Sequence, residues 1–131
     1  MYFLDTDILV GLLRNNKSAV DKILLLSEKA AEIYTSSINI HELVKGAHLS
    51  NNPTRNLEKI NALIQTISIS PFNKDCSLIS GKLSAEQETK GRPIGQNDLF
   101  IASIVLSNKL KLVTRNKKHF ENIEDIQIEE W

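Results

Sequence analysis

Cysteine is nearly absent from this chain. Cys76 stands alone, so no intrachain disulfide can form, and its place in an apolar helical pattern marks it as a small core side chain. No run reaches the ~18 unbroken apolar residues that cross a bilayer. The N-terminus has neither a basic stretch nor a signal-type apolar segment, so a cytoplasmic protein with no membrane association is expected. Net charge is missing too, because 16 acidic residues offset 16 basic ones. That excludes a global electrostatic footprint for nucleic acid, and any such binding must come from local basic clusters or a bound metal. Repeats, linkers and low-complexity segments are also absent. At 131 residues, the chain fits one domain, residues 1–131, large enough to bury roughly two-thirds of its unfolded-chain surface.

What is present begins with Tyr2-Phe3-Leu4-Asp5-Thr6-Asp7-Ile8-Leu9. Three bulky apolar residues run into an acidic cluster. A continuous apolar run reads as a short strand buried on both faces. Asp5 then falls at the carboxyl end of that strand, the edge of an open parallel sheet where ligands bind. Asp5, Thr6 or Asp7 can cap a short helix to about Leu13. Ser18 reads as the N-cap of a helix from Ala19 to about Lys29. Glu32–Ser36 reads as a second strand. A helix from about Asn39 to Leu49 carries Ile40, Leu43, Val44 and Ala47 at i, i+3, i+4, i+7. Asn51-Asn52-Pro53 breaks that helix, and Thr54 and Arg55 open another. Ser68–Ser70 is a short strand, and Lys74–Thr89 a long helix.

The segment Ile94-Gly95-Gln96-Asn97-Asp98 leads into a helix reaching about Asn108, apolar nearly all round and therefore central. Asn97 can cap it. Lys111–Thr114 is a strand, Lys117–Asn122 a helical turn, and Ile126–Ile128 a last strand. Strands alternate with helices throughout, which argues a three-layer α/β/α sandwich on a mostly parallel sheet of about five strands.

Three acids have unusual neighbours. Asp5 follows the buried strand, Glu42 lies in the first turn of the helix after strand two, and Asp98 opens the most apolar helix. In a parallel α/β sheet, strand ends and the starts of the following helices share one edge, so all three could converge there. Two carboxylates ~5 Å apart repel by about 3 kcal/mol at an effective dielectric of ~20. A hard divalent cation relieves that repulsion. An all-oxygen set suits Mg²⁺ or Mn²⁺, and no Cys/His pair is spaced for zinc. Such an ion could hold a phosphate, activate water and stabilise a leaving oxygen, which is phosphodiester chemistry. Each acid also has a plainer reading: Asp5 and Asp98 as helix caps, Glu42 as a surface acid, which Lys45 one turn away could pair. Asp7 is better read as a cap or supporting acceptor than as a ligand. His41 points ~100° away from Glu42 on the same helix. His48 and His119 have no acid or hydroxyl partner at suggestive spacing. Lys90, Arg92, Arg115, Lys117 and Lys118 flank the acidic edge and could bind phosphates.

The chain resembles the PIN-domain proteins, specifically small VapC-type toxins of toxin–antitoxin systems. The resemblance rests on four segments in order. These are Phe3-Leu4-Asp5-Thr6-Asp7-Ile8-Leu9, Ser37-Ile38-Asn39-Ile40-His41-Glu42-Leu43, Pro93 to Ala102 around Asp98, and Leu112-Val113-Thr114-Arg115-Asn116-Lys117-Lys118-His119-Phe120. It implies a PIN-like fold and a Mg²⁺- or Mn²⁺-dependent endoribonuclease with Asp5, Glu42 and Asp98 as catalytic, metal-holding acids. Asp7, Thr6, Thr114 and Asn116 would stand behind them. It further implies an RNA substrate such as tRNA, a homodimer and a cognate VapB-type antitoxin whose C-terminal segment covers the site. Two positions depart from the family pattern. Asp7 stands where Asn is usual, and Asn116 and His119 occupy the places where many relatives carry a fourth acid. Asn116 could then ligate a metal-held water or hold Thr114 in place.

Other readings remain open at this point. One is a PIN nuclease of RNA maturation with no antitoxin. Another is an RNA-binding PIN module that has lost hydrolysis. A third is a haloacid-dehalogenase-like phosphotransferase with Asp5 as nucleophile and Asp7 as acid/base, although no later paired-acid segment is present for it.

Overall fold

The computed structural model describes all residues, 1–131. Strand β1 (Tyr2–Leu4) is followed by α1 (Thr6–Leu13) and α2 (Lys17–Glu28). Next come β2 (Ile33–Ser36), α3 (Ser37–His48), α4 (Pro53–Ile64) and β3 (Ser68–Ser70). The chain closes with α5 (Lys74–Thr89), α6 (Gln96–Ser107), β4 (Lys111–Thr114), α7 (Lys117–Phe120) and β5 (Gln127–Glu130). All five strands are parallel, in the order β3-β2-β1-β4-β5. The expected three-layer architecture is the one found.

Alternation along the two central strands builds the layers. Phe3 and Leu112 face one side, in a core with Cys76, Leu83 and the buried residues of α6. Leu4 and Val113 face the other, against Ile8 and Leu9 of α1, Leu43 and Ala47 of α3 and Ile60 of α4. Neighbouring residues of a strand point to opposite faces, so an apolar pair such as Phe3-Leu4 seeds both cores. Helix α6 is central as expected, with Leu99, Ile101, Ala102, Ile104 and Val105 all buried. Cys76 is fully buried in the first core. No helix is long and apolar enough to cross a membrane.

Capping moves four boundaries. Asn16, not Ser18, caps α2: its side chain accepts from the Ala19 N–H, so the helix starts at Lys17. Ser36 caps α3 by accepting from the Asn39 N–H. That helix therefore begins at Ser37, and Glu42 sits in its second turn, not its first. The break at Asn51-Asn52-Pro53 is found, but Pro53 itself, capped by Asn52, rather than Thr54 starts α4, where a missing N–H costs nothing. Gly95 rather than Asn97 stands at the N-cap of α6. The last strand runs one residue later than expected and extends to Glu130, because β4 offers four partners, with Thr114 opposite Glu130.

The strand order places the functional edge. The connections from β1 lead towards β2 and β3, while β4 and β5 lie on the other side of β1. Between β1 and β4 the chain therefore leaves the sheet in opposite directions, opening a crevice at the strands' carboxyl ends. Asp5 follows β1 directly, and Arg115 and Asn116 follow β4.

Candidate active site

Asp5 stands at the head of this crevice and is buried. It is the N-cap of α1, as the plainer reading had it, but its carboxylate does more than cap. Oδ1 accepts from the Thr6 N–H at 2.8 Å and from Asn39 Nδ2 at 3.3 Å. Oδ2 accepts from the Thr114 hydroxyl at 2.8 Å. Burial, offset in part by the Thr114 hydrogen bond, pushes the Asp5 pKa up to about 6, and the charges of Asp7 and Asp98 add to the rise. Glu42 shifts in the same direction, through burial first and then the charges of Asp5 and Asp98; the Thr6 hydroxyl pulls the other way. The folded chain thus brings Asp5, Glu42 and Asp98 close enough to repel one another. Asp98 lies half-buried in the first turn of α6. Glu42 makes no ion pair with Lys45, nor with any other base.

Asp7 is a supporting acceptor. Its Oδ2 receives the Arg115 N–H at 2.9 Å and Asn116 Nδ2 at 3.2 Å, tying the loop after β4 to α1. Its Oδ1 is buried without a hydrogen-bond partner. Asn116 spends its amide on Asp7, and its backbone N–H holds the Thr114 hydroxyl at 3.0 Å. Of the two roles expected for Asn116, the geometry supplies the second. The phosphotransferase reading also wants a later paired-acid segment, and the loop after β4 offers Arg115 and Asn116 to Asp7 instead.

Two residues play parts that the sequence did not assign to them. Asn39 is fully buried. Its amide bridges Asp5 and Thr6, donating to Thr6 Oγ1 at 2.9 Å, while the Ser36 hydroxyl bonds its carbonyl oxygen. The signal for Asn39 was its place in the apolar face of α3, where a polar side chain needs a partner. The other is His119. It was expected to have no acid partner, yet its Nδ1 lies 3.1 Å from Asp98 Oδ2. The two are 21 residues apart, beyond any local spacing rule. His41 and His48 are exposed on α3, and neither makes a side-chain hydrogen bond or ion pair.

Residues 2–126 match the PIN domain family. The chain belongs to the PIN-domain family. This PIN domain is 33% identical over 131 residues to Ribonuclease VapC1 of Haemophilus influenzae strain R2866, covering 100% of this chain and 98% of the relative. It is 30% identical to the tRNA(fMet)-specific endonuclease VapC of Shigella flexneri over 99% of this chain and 97% of the relative. Among solved structures, it superposes on a chain of VapBC2 from Rickettsia felis bound to a promoter DNA fragment. There the TM-score is 0.93 at 34% identity, covering 99% of this PIN domain and 98% of that chain.

Whether these residues suit a divalent cation is a question of donor chemistry. No group of three or more His, Cys, Asp or Glu side chains is gathered tightly enough to cage an ion. Mg²⁺ does not require such a cage, since it keeps several waters and is usually bound through one or two carboxylates. The PIN domain offers Asp5 and Glu42, both pushed towards neutrality by burial first and then by neighbouring acids. No base offsets them, and a buried carboxylate oxygen of Asp7 lies unpartnered nearby. That donor set fits a hard cation.

Two grooves flank the acids. One, about 290 Å³, runs between α1, α3 and α4. Val10, Leu13, Leu43, Ala47 and Ile60 line it, Thr6 and Glu42 border it, and it carries Arg14 and Lys59. The other, about 450 Å³, lies beside Asp98 and is lined by Arg92, Lys118 and His119 among ten residues. Of the basic residues expected at the edge, Arg92 enters this second groove, whereas Lys90, Arg115 and Lys117 are exposed outside both grooves. The Arg115 guanidinium instead approaches α1 at Gly11.

Proposed function

We propose that this PIN domain is a Mg²⁺- or Mn²⁺-dependent endoribonuclease and the toxin of a type II toxin–antitoxin pair. One observation carries the reading: Asp5, a buried carboxylate at the carboxyl edge of a parallel sheet, is held by Thr6, Asn39 and Thr114. Asp5 and Asp98 would hold the ion, with Glu42 directly or through water. Bound there, a divalent cation would polarise the scissile phosphodiester and offset charge on the leaving oxygen.

The chain's own residues do the rest. Thr6, Asn39 and Thr114 fix Asp5 against rotation, so its carboxylate is oriented before substrate arrives. Arg92 and Lys118 take phosphates beside the scissile one. Glu42, a carboxylate with no ion-pair partner, accepts the proton of the attacking water as its oxygen bonds to phosphorus. The bond to the 3′-oxygen breaks and that oxygen takes a proton from solvent, leaving a 5′-phosphate and a 3′-hydroxyl, while Glu42 returns its proton to solvent. The naming of one relative as tRNA(fMet)-specific supports a structured RNA such as tRNA as substrate. The apolar groove bordered by Thr6 and Glu42 suits a segment of a VapB-type antitoxin, whose seating there would cover Glu42. A homodimer completes the proposal.

The deciding experiment sequences RNA ends after brief expression of the wild type, with Asp5→Asn as control. New 5′-phosphate ends confined to the wild type are expected. Identical end profiles in the two samples, or RNA bound but never cut with Mn²⁺ present and antitoxin absent, would overturn the nuclease assignment.

A further inference from the structure

We propose that His119 is a positioning residue of this site: its ring holds Asp98 in the orientation that leaves one carboxylate oxygen for the cation. The inference rests on the nuclease reading above. Asp98 has no other side-chain partner, whereas Asp5 has donors on both oxygens. Gly95, beneath it at the N-cap, has no side chain to fence it. Without His119 the Asp98 carboxylate would turn freely about its own torsions.

A carboxylate only accepts, so the contact requires Nδ1 of His119 to carry the hydrogen. It occupies Oδ2 and leaves Oδ1 unengaged. At metal sites ligating carboxylates are themselves hydrogen-bonded, and such outer partners fix their orientation.

The ring's own position is set from both ends of α7. Phe120, the next residue, is fully buried. On the other side, Asp7 grips Arg115 and Asn116, and the Asn116 N–H bonds Thr114, which donates to Asp5. One chain of contacts therefore runs from Asp5 through Thr114, Asn116 and α7 to His119 and Asp98. It sets two carboxylates that are 93 positions apart in sequence, 98 minus 5.

The test compares His119→Ala, His119→Gln and His119→Asn with the wild type. Asn presents an amide N–H near the place of Nδ1, and Gln presents one farther out, near Nε2. Mn²⁺ affinity is read by titration calorimetry on the full chain, and kcat and KM are read on the RNA whose cut ends the sequencing experiment finds. His119→Ala and His119→Gln are expected to weaken Mn²⁺ binding by about 10–100-fold and to lower kcat at unchanged KM. His119→Asn should recover most of both. The ring is 56% exposed, so the metal-free melting temperature should barely move. Equal Mn²⁺ affinity in His119→Ala and the wild type overturns the inference. So does a rise in KM alone, which would make His119 an RNA contact, or a His119→Asn variant as weak as His119→Ala. A wild type that neither takes Mn²⁺ nor cuts RNA overturns the nuclease reading itself, and this inference with it.

Discussion

Removing the charge from Asp5 should stabilise the metal-free protein while destroying its activity. Burial holds the Asp5 pKa near 6 in the folded state, against 3.8 in the unfolded chain. The folded protein thus keeps a proton that the unfolded chain releases between about pH 4 and pH 6. Across that window stability falls as pH rises, and above it the loss is complete. At 1.36 kcal/mol per pKa unit the difference corresponds to about 3 kcal/mol. Asp5→Asn removes this penalty at pH 7.5. The amide oxygen can still accept from Thr6 and Asn39, but its N–H₂ meets a Thr114 hydroxyl that formerly donated. Exchanging charge-assisted for neutral hydrogen bonds costs about 1 kcal/mol. The net gain is therefore about 2 kcal/mol, or roughly 1 M in urea midpoint at ordinary slopes. Urea titrations with EDTA at pH 7.5 and pH 4.5 measure it. The gain should shrink at pH 4.5, where wild-type Asp5 is protonated in the fold. A variant less stable than the wild type at pH 7.5, or a gap that does not narrow on acidification, would refute the reasoning.

Mn²⁺ should act in the opposite sense on the same pair. At a hundred times its Kd it should stabilise the wild type by ~2.7 kcal/mol and leave Asp5→Asn unchanged, as thermal melts with and without the ion will report. Asp98→Asn should cut RNA cleavage at least ~100-fold, more than loss of a supporting contact, with a native circular dichroism spectrum; unchanged turnover would remove Asp98 from the mechanism. Asn39→Ala should cost about 2–3 kcal/mol in urea unfolding, because it strips hydrogen bonds from Asp5 and Thr6 in a buried setting. A loss below ~0.5 kcal/mol, the range of surface substitutions, would show that this network is not what holds Asp5.

The layers and the functional edge were legible in the chain alone. Apolar runs at Tyr2–Leu4 and Leu112–Val113, alternating with helical patterns, leave a three-layer parallel fold as the way to cover both sheet faces. They also fix Asp5 at a strand's carboxyl end. That information is local, carried by residues a few positions apart. Even locally, competing caps misled: Asn16 displaced Ser18, and Ser36 moved the start of α3, which put Glu42 in the second turn. Only the tertiary structure decided the pairings between Asp7 and Asn116, Asn39 and Asp5, and His119 and Asp98. These span 109, 34 and 21 positions. A hydrogen bond of that reach depends on which strand lies beside which. With β1 between β2 and β4, the starts of α1 and α3 and the end of β4 meet around one carboxylate, and no periodicity in the chain records that neighbourhood.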